Sequence, residues 1–179
     1  WHDCCEMELI LSGRGKHIIN GHSHPLNPGD LYLFTPADFH SITMEEPIDV
    51  LAVMFDEGLV RKDLYTNVLD FEMTGITLLA TLPEERRTKT MQYFYTLISE
   101  MNAKSPALLT AIYVEQLLNC ILIDLLREIN DVVSVNTDKQ ALTEAILYLH
   151  HHYTEPITLT SLAKHLHLTP SYLSSYFTI

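Results

Sequence analysis

Residues 141–179 read ALTEAILYLHHHYTEPITLTSLAKHLHLTPSYLSSYFTI. Apolar residues recur there at helical spacing and predict an amphipathic helix, which Glu155-Pro156 ends because proline has no backbone donor. Thr158 is suited to cap a short helix running to about Leu166, and Thr169-Pro170 places a capping hydroxyl before a proline at the first helical position. A turn of about three residues, His167 to Thr169, separates the two short helices. The apolar stripe of the first helix comprises Ala141, Leu142, Ala145, Ile146, Leu149 and Tyr153.

Two short helices joined by such a turn form a helix-turn-helix, whose second helix is built to enter a DNA major groove. The segments Ile157-Thr-Leu-x-x-Leu-Ala163 and Leu168-Thr-Pro-Ser-Tyr-Leu-Ser174, followed by Phe177, resemble the DNA-binding domain of the AraC/XylS (arabinose-regulator) family of bacterial transcription factors. The resemblance implies two such units per domain, of which residues 138–179 hold the first, and we expect the second to lie beyond Ile179. It also implies DNA contacts from Ser171, Tyr172, Ser174, Ser175 and Thr178.

Two of these positions depart from the pattern of the family. Relatives of this kind often carry arginine where Ser175 stands and a basic residue where Thr178 stands. Serine discriminates between bases far less well than arginine reading guanine. We therefore expect this unit to bind through shape and phosphate contacts and to leave sequence specificity to the second unit.

The front of the chain is patterned as strands. Between Glu6 and about Val53, short runs of β-forming residues alternate with Gly and Pro turns every eight to twelve residues, which indicates a small barrel or sandwich. Asn20-Gly21 is a dipeptide favoured by tight hairpins. The predicted extended segments are 6–12, 16–20, 24–30, 31–35 and 48–55.

The first eighty or so residues resemble a cupin, the β-barrel that serves as the sensor domain of many regulators of the same family. His2, Glu6 and Gly13 fit the spacing of the first cupin motif, and we expect its companion histidine to precede Trp1. Gly29-Asp30 and the segment 36–40 match the second motif loosely, with Asp38 in place of a glycine. The resemblance implies an effector-binding barrel over residues 1–82.

Side chains that face the barrel interior are the candidate ligand contacts. If Glu6 points inward, the period of two places Glu8, Ile10 and Ser12 on the same side. On the next strand either His17 and Ile19, or Lys16, Ile18 and Asn20, share a face. Carboxylates, imidazoles and an aromatic ring together suit a polar, sugar-like effector. The predicted effector contacts are His2, Glu6, Glu8, His17, Tyr32, Phe34 and His40.

Histidines and a carboxylate in a barrel also suit a transition metal, with His2, Glu6 and His40 as candidate ligands. The sensor cupins that the chain resembles bind an organic effector without a metal, so we expect neither a metal nor another cofactor. His22 and His24 are expected in a solvent-exposed hairpin turn.

Residues 83–137 are predicted to be a helical linker. A helix over 84–101 begins with Pro83 and two acidic residues, and a longer helix runs from Pro106 to about Ile129. The second helix is apolar over more than one face, so it is either an ordinary core helix or a contact between two copies of the chain. The predicted dimer residues are Val114, Leu118, Ile121 and Leu125.

The composition is that of a globular protein, with 179 residues, 47% hydrophobic content and a net charge of −12. The acidity lies in the front of the chain, because Lys139 and Lys164 nearly balance Asp138, Glu144 and Glu155 near the C-terminus. Three cysteines, two of them adjacent, form a poor disulfide framework and favour a reduced cytoplasmic setting. The sequence shows no membrane-spanning run or signal peptide.

The chain is thus predicted to be α+β, with a cupin-like β-barrel, a helical linker and a C-terminal all-α helix-turn-helix. We expect a homodimeric, ligand-responsive, DNA-binding transcriptional regulator rather than an enzyme. The alternative is a metal-dependent cupin enzyme with a helical appendage.

Overall fold

A computed structural model describes residues 3–73, 78–102, 107–129 and 137–176. The seven strands in these ranges are β1 (Cys5–Ser12), β2 (Gly15–Ile19), β3 (His22–Leu26), β4 (Asp30–Phe34), β5 (His40–Met44), β6 (Asp49–Phe55) and β7 (Leu79–Thr81). The helices are α1 (Lys62–Met73), α2 (Glu84–Met101), α3 (Ala107–Glu128), α4 (Thr137–His152), α5 (Leu159–His165) and α6 (Pro170–Tyr176).

The strands form two antiparallel sheets. One sheet has the order β6-β1-β4-β7 and the other has the order β3-β2-β5. The hairpin between β2 and β3 turns at Asn20 and Gly21, whose φ values of 50° and 81° are those that the predicted Asn-Gly turn requires. β5 and β7 were not predicted, because β5 is largely exposed and β7 has only three residues.

Two apolar clusters lie on opposite faces of the four-stranded sheet. The inner cluster, between the two sheets, contains Ile10, Ile19 and Leu26 together with Tyr32 and Phe34. The outer cluster joins the other face of the sheet to the helices. Its members include Met7, Leu9, Leu31, Leu33, Phe94, Leu97, Leu118, Ile121 and Leu125. The alternation of β1 therefore sends Glu6, Glu8 and Ile10 inward and Met7 and Leu9 toward the helices.

Ser12 departs from the predicted alternation. A β-bulge shifts the register with β6 between Ile10 and Ser12, and Ser12 is exposed, donating a hydrogen bond to Asp49. Because an extra residue in one strand re-aims the side chains that follow, the period of two cannot be extended across the bulge.

Helix α1 was not predicted and connects the two halves of the chain. Its start is held by Asn119 of α3, whose side-chain oxygen accepts a hydrogen bond from the backbone N–H of Arg61 at 2.9 Å. The same helix packs against α3 and α4. This support comes from residues far away in sequence, so the local pattern does not reveal it.

Helix α3 is a core helix, and the predicted dimer residues lie in or against the outer cluster of their own chain. Leu118, Ile121 and Leu125 are fully buried in the outer cluster of their own chain, and Val114 packs against that cluster. A side chain buried within its own chain is not available to a second copy. The exposed large apolar side chains of these two helices lie instead near the start of α3 and on the adjoining part of α2. They are Tyr95, Ile98, Met101, Leu108, Leu109, Ile112 and Tyr113.

By length and composition α3 could cross a membrane, with a mean hydropathy of 1.6 over its most apolar window. The core helix of a globular protein satisfies the same criteria. The burial of Leu118, Ile121 and Leu125 in the outer cluster accounts for the apolar character of the second half of α3.

Helices α4, α5 and α6 pack around a third cluster of Ala145, Leu162, Ala163, Leu166 and Leu173. The predicted boundaries of the two short helices agree with the structure. The predicted stripe of α4 holds at Ala145 and Leu149 but not at Tyr153, which follows the end of α4 and is 79% exposed.

Candidate functional site

The barrel interior brings together six of the seven predicted effector residues. Glu6 and Glu8 on β1 pair in register with Phe34 and Tyr32 on β4. From the facing sheet come His17, on β2, and His40, on β5. All six side chains are buried except that of His40, which is half-buried. The seventh predicted residue, His2, lies outside the described residues.

Four of these side chains form a continuous chain of carboxylates and imidazoles. The Nδ1 atom of His17 lies 4.0 Å from Oε2 of Glu8, and its Nε2 atom lies 3.2 Å from Nδ1 of His40. The other nitrogen of His40, Nε2, lies 3.4 Å from Oε2 of Glu6. Each imidazole therefore has one nitrogen facing the other imidazole and one nitrogen facing a carboxylate.

Aromatic rings hold the two imidazoles in place. The ring of His40 stacks on Phe34 with centroids 3.9 Å apart and planes 13° apart. The ring of His17 lies 4.6 Å from that of Tyr32 and 5.0 Å from that of Phe34. This packing fixes the orientation of both imidazoles.

Burial determines the pKa values of Glu8 and His17 in this chain of carboxylates and imidazoles. Burial, and after it the nearby Glu6, raise the pKa of Glu8 to about 7, while His40 opposes the rise. Burial, then His40 and His24, lower the pKa of His17 to about 4, so this imidazole is neutral at neutral pH. Glu8 Oε2 and His17 Nδ1 are both buried and make no hydrogen bond. Two buried polar atoms that face each other without a hydrogen bond are costly to the fold and mark a site that another group can complete.

Two polar residues of the interior were missed by the sequence reasoning. His24 was expected in an exposed turn but lies on β3, directly opposite His17. Asp30, buried at the start of β4, accepts hydrogen bonds from the Thr81 hydroxyl at 2.6 Å and the Tyr32 hydroxyl at 3.4 Å. The separation of His22 and His24 by two residues was the available signal for a strand, because alternating polar residues in a β-rich segment share one face.

A second candidate region lies between the barrel and α4. His151 Nε2 is 2.8 Å from Oε1 of Glu57, which joins α4 to the segment that follows β6. A cavity of about 690 Å³ adjoins this contact. It is lined by Asp3, Pro36, Asp56, Glu57, Ile146, Leu149, His150, His151 and Tyr153.

The predicted DNA-contacting residues of α6 lie on its exposed side. Ser171, Tyr172 and Ser175 are exposed, and Ser174 is half-buried. The Ser175 hydroxyl donates a 2.6 Å hydrogen bond to the Tyr172 carbonyl. Thr178 lies outside the described residues. Leu173, on the opposite side of α6, anchors the helix in the third cluster.

The turn before α6 is held by local backbone geometry. His167 has a φ of 55°, and the N–H of Leu168 donates to the carbonyl of Ala163 at 2.8 Å. Together with the bond from the His167 N–H to the Lys164 carbonyl, this is the Schellman ending of a helix. At the other end of α5, Thr158 and Ser161 form a capping box. These contacts fix the angle at which α6 leaves α5.

Comparison with known proteins places these elements in context. Residues 1–118 match the family described as the AraC-like ligand binding domain. The chain is 26% identical over 102 residues to the HTH-type transcriptional activator RhaS of Mannheimia succiniciproducens, covering 57% of this chain and 37% of RhaS. It is 27% identical over 172 residues to the uncharacterized HTH-type transcriptional regulator YbfI of Bacillus subtilis, covering 92% of this chain and 58% of YbfI.

The fold is similar to that in the crystal structure of the AraC-like transcriptional activator CuxR, with a TM-score of 0.51 and 9% sequence identity. The match covers 94% of this chain and 58% of CuxR. The chain thus spans between about a third and three fifths of the length of these proteins.

Proposed function

The chain belongs to the family of AraC-like ligand-binding domains, and from this premise we propose that it senses a small molecule on behalf of a DNA-binding transcriptional regulator. The relatives RhaS and YbfI are regulators by name, which supports a regulatory rather than a catalytic role. The alignment with YbfI runs over most of the chain and so supports a common arrangement of barrel, linker and C-terminal helices. The cytoplasm is the compartment in which such a protein acts.

The observation that carries the sensing role is the buried polar cluster in the barrel. Glu6, Glu8, His17 and His40 lie between the two sheets, next to the apolar and aromatic side chains of the inner cluster. Burying polar groups in an apolar interior costs free energy unless they are hydrogen-bonded, so such clusters in a barrel commonly mark ligand sites. We assign the effector to this cluster, with Tyr32 and Phe34 as its aromatic walls. Hydroxyl groups, as in a sugar-like molecule, suit its mixture of acceptors and imidazoles.

The C-terminal helices are assigned to DNA binding. In this proposal residues 138–179 are the first helix-turn-helix of an AraC-type domain, and α6 faces the major groove with Ser171, Tyr172, Ser174, Ser175 and Thr178. Support comes from the capped α5, the tight turn at His167 and the exposure of the polar side of α6. Few basic residues lie in this segment, so phosphate contacts there are sparse and binding at high salt is expected to be weak.

Coupling between the two parts needs contacts that differ between effector-free and effector-bound states. The packing of α4 on α1 and the ion pair between His151 and Glu57 are the contacts we assign to this role. We further propose that two copies associate through the exposed apolar side chains at the start of α3, among them Leu108 and Leu109, in place of the buried residues first predicted. The barrel, residues 1–82, and the linker, residues 83–137, would then act as one unit.

Fluorescence anisotropy with DNA from upstream of the gene tests the DNA-binding role. We expect binding at low salt that weakens steeply as salt rises. Ser171→Glu puts a negative charge at the proposed DNA surface, where an acid at a helix start is compatible with folding. It is expected to weaken binding at least tenfold, whereas Ser41→Glu adds the same charge on the barrel exterior and leaves binding unchanged. No binding at low salt, or equal effects of the two variants, would contradict the assignment.

Titration of the same complex with a panel of monosaccharides and polyols tests the sensing role. We expect one class of compound to change the apparent affinity for DNA and to raise the thermal midpoint of the protein alone. Tyr32→Phe, which removes only the hydroxyl, is expected to alter the effector response without changing DNA binding in the absence of effector. A response that survives in proteins with Glu6→Gln and Glu8→Gln would place the effector elsewhere.

A further inference from the structure

We propose that the barrel interior holds one divalent first-row transition-metal ion, with Zn²⁺ as the best fit, bound by Glu8, His17 and His40. One ligand atom from each of these residues lies within 4.8 Å of the other two. The set differs from the His2, Glu6 and His40 set considered from the sequence, because it takes Glu8 from the next inward position of β1 and His17 from β2. It goes beyond the proposed function and does not depend on it, since metal binding is measured without DNA or effector.

The spacing of the imidazoles fits one ion. Bonds from zinc to nitrogen are about 2.0–2.1 Å, so two nitrogens on one tetrahedral ion lie roughly 3.3 Å apart. His17 Nε2 and His40 Nδ1 are 3.2 Å apart. The Glu8 carboxylate reaches the ion by a side-chain shift, because one ligand atom of Glu8 lies within 4.8 Å of a ligand nitrogen of each imidazole.

A hydrogen bond between the two imidazoles would account for the 3.2 Å contact, but it leaves other atoms unexplained. Glu8 Oε2 and His17 Nδ1 are buried and make no hydrogen bond. A cation between the imidazoles would neutralise the buried Glu8 carboxylate. It would also fix the tautomer of His17 by placing its proton on Nδ1. One ion therefore accounts for the imidazole contact and for the buried Glu8 carboxylate.

The surroundings complete the arrangement expected of a metal site. Histidine ligands usually donate their second ring N–H to a carboxylate, which fixes the ring and increases its basicity. Glu6 lies 3.4 Å from the second nitrogen of His40 and serves that purpose. The stacking of Phe34 on His40 and the close contact of the Tyr32 ring with His17 hold the two imidazole ligands in place.

The ligand set selects the class of metal. Two imidazoles and one carboxylate suit zinc and its neighbours in the first transition row, whereas calcium and magnesium prefer oxygen ligands alone. Three protein ligands leave at least one coordination position for water or for an oxygen atom of an effector.

Isothermal titration of the chelator-treated full chain with Zn²⁺ tests the proposal. We expect one ion per chain, and a thermal midpoint raised by about 5–10 °C at a zinc concentration 100 times the dissociation constant. Co²⁺ in place of Zn²⁺ should give the visible absorption of a low-symmetry site with nitrogen and oxygen ligands. Glu8→Gln and His17→Gln should each weaken binding about 100-fold or more, and His22→Gln, at an exposed histidine of the same hairpin, should have no effect.

Two results would overturn the proposal. One is the absence of zinc binding or of a Co²⁺ spectrum in the wild-type chain, which does not depend on whether any variant folds. The other is stoichiometric binding that survives Glu8→Gln and His17→Gln in folded protein, as it would if the ion were held by His150, His151 and His152 of α4 or by Glu6 and His40 without the other two residues. Circular dichroism of each variant checks folding, and Glu8→Asp, which keeps the charge, should retain partial binding.

Discussion

Leu118→Ala and Leu108→Ala are a matched pair that separates the two sides of α3. Both changes remove the same three carbons from the same helix. Leu118 is 0% exposed within the outer cluster, whereas Leu108 is 71% exposed. Leu118→Ala should therefore lower the stability of the fold, whereas Leu108→Ala should weaken the association of two copies.

The expected magnitudes follow from burial. A leucine truncated to alanine in a fully packed core costs about 3–5 kcal/mol, because the lost transfer free energy adds to that of the cavity. For a chain of this size the thermal midpoint should fall by roughly 6–20 °C. Leu108→Ala should change the free energy of unfolding of the monomer by less than about 0.5 kcal/mol. If Leu108 is buried between two copies, its loss should weaken dimerisation by about 2 kcal/mol, or roughly 30-fold.

Guanidinium unfolding at a fixed protein concentration gives the stability of each variant, and sedimentation equilibrium gives the dissociation constant of the dimer. Leu118→Ala should lower the free energy of unfolding, and the folded variant should keep the dissociation constant of the wild-type dimer. The opposite pattern, with Leu118→Ala nearly neutral for stability but disruptive to the dimer, would refute the placement of α3 as a core helix.

Three further predictions concern the C-terminal helices. Thr158→Ala removes the N-cap of α5 and should cost about 1 kcal/mol, seen as faster amide exchange in α5, with Thr160→Ala, at an exposed non-capping threonine in the first turn of α5, as the control. His167→Val should destabilise the protein by about 1–2 kcal/mol in urea unfolding, because a β-branched residue is strained at a φ of 55°. His167→Gly should be neutral or stabilising. Equal effects of the two variants would show that the left-handed turn is not needed. His151→Ala should change the global free energy of unfolding by less than about 1 kcal/mol, because the ion pair between His151 and Glu57 is partly exposed. It should nevertheless raise the rate of amide exchange at the C-terminal end of α4, whereas the control His22→Ala should not. Unchanged exchange would mean that the ion pair does not hold α4.

The inward positions of the barrel could be predicted because strand alternation is a local rule. Glu6 and Glu8 follow from it, and so does the pairing of Tyr32 with Phe34 on one face of β4. For β2 the sequence left two choices open, an inward face with His17 or one with Lys16, because the alternation within a single strand does not show which of its faces is buried. The structure resolves the choice in favour of His17 and Ile19, which are buried, while Lys16 and Ile18 are exposed.

What the sequence did not predict depends on contacts between distant segments. The bulge at Ser12 reflects the register between β1 and β6, and the start of α1 is completed by Asn119, 58 residues away. The apolar surface of α3 predicted that the helix needs covering on two sides but not which side the sheet covers. Similarly, the facing of His17 and His40 depends on the pairing of β2 with β5, a strand that the sequence did not reveal.

The division of the apolar core into two clusters has a consequence for synthesis on the ribosome. The inner cluster is built largely from β1 to β4, so the barrel can begin to close soon after Phe34 has been added. The outer side of the same sheet, with Met7, Leu9 and Leu33, is covered only when α3 has emerged, about a hundred residues later. At 5–20 residues per second this delay is roughly 5–20 seconds, during which an apolar sheet face stays uncovered. The nascent chain is therefore expected to need a chaperone most during the synthesis of its linker rather than of its barrel.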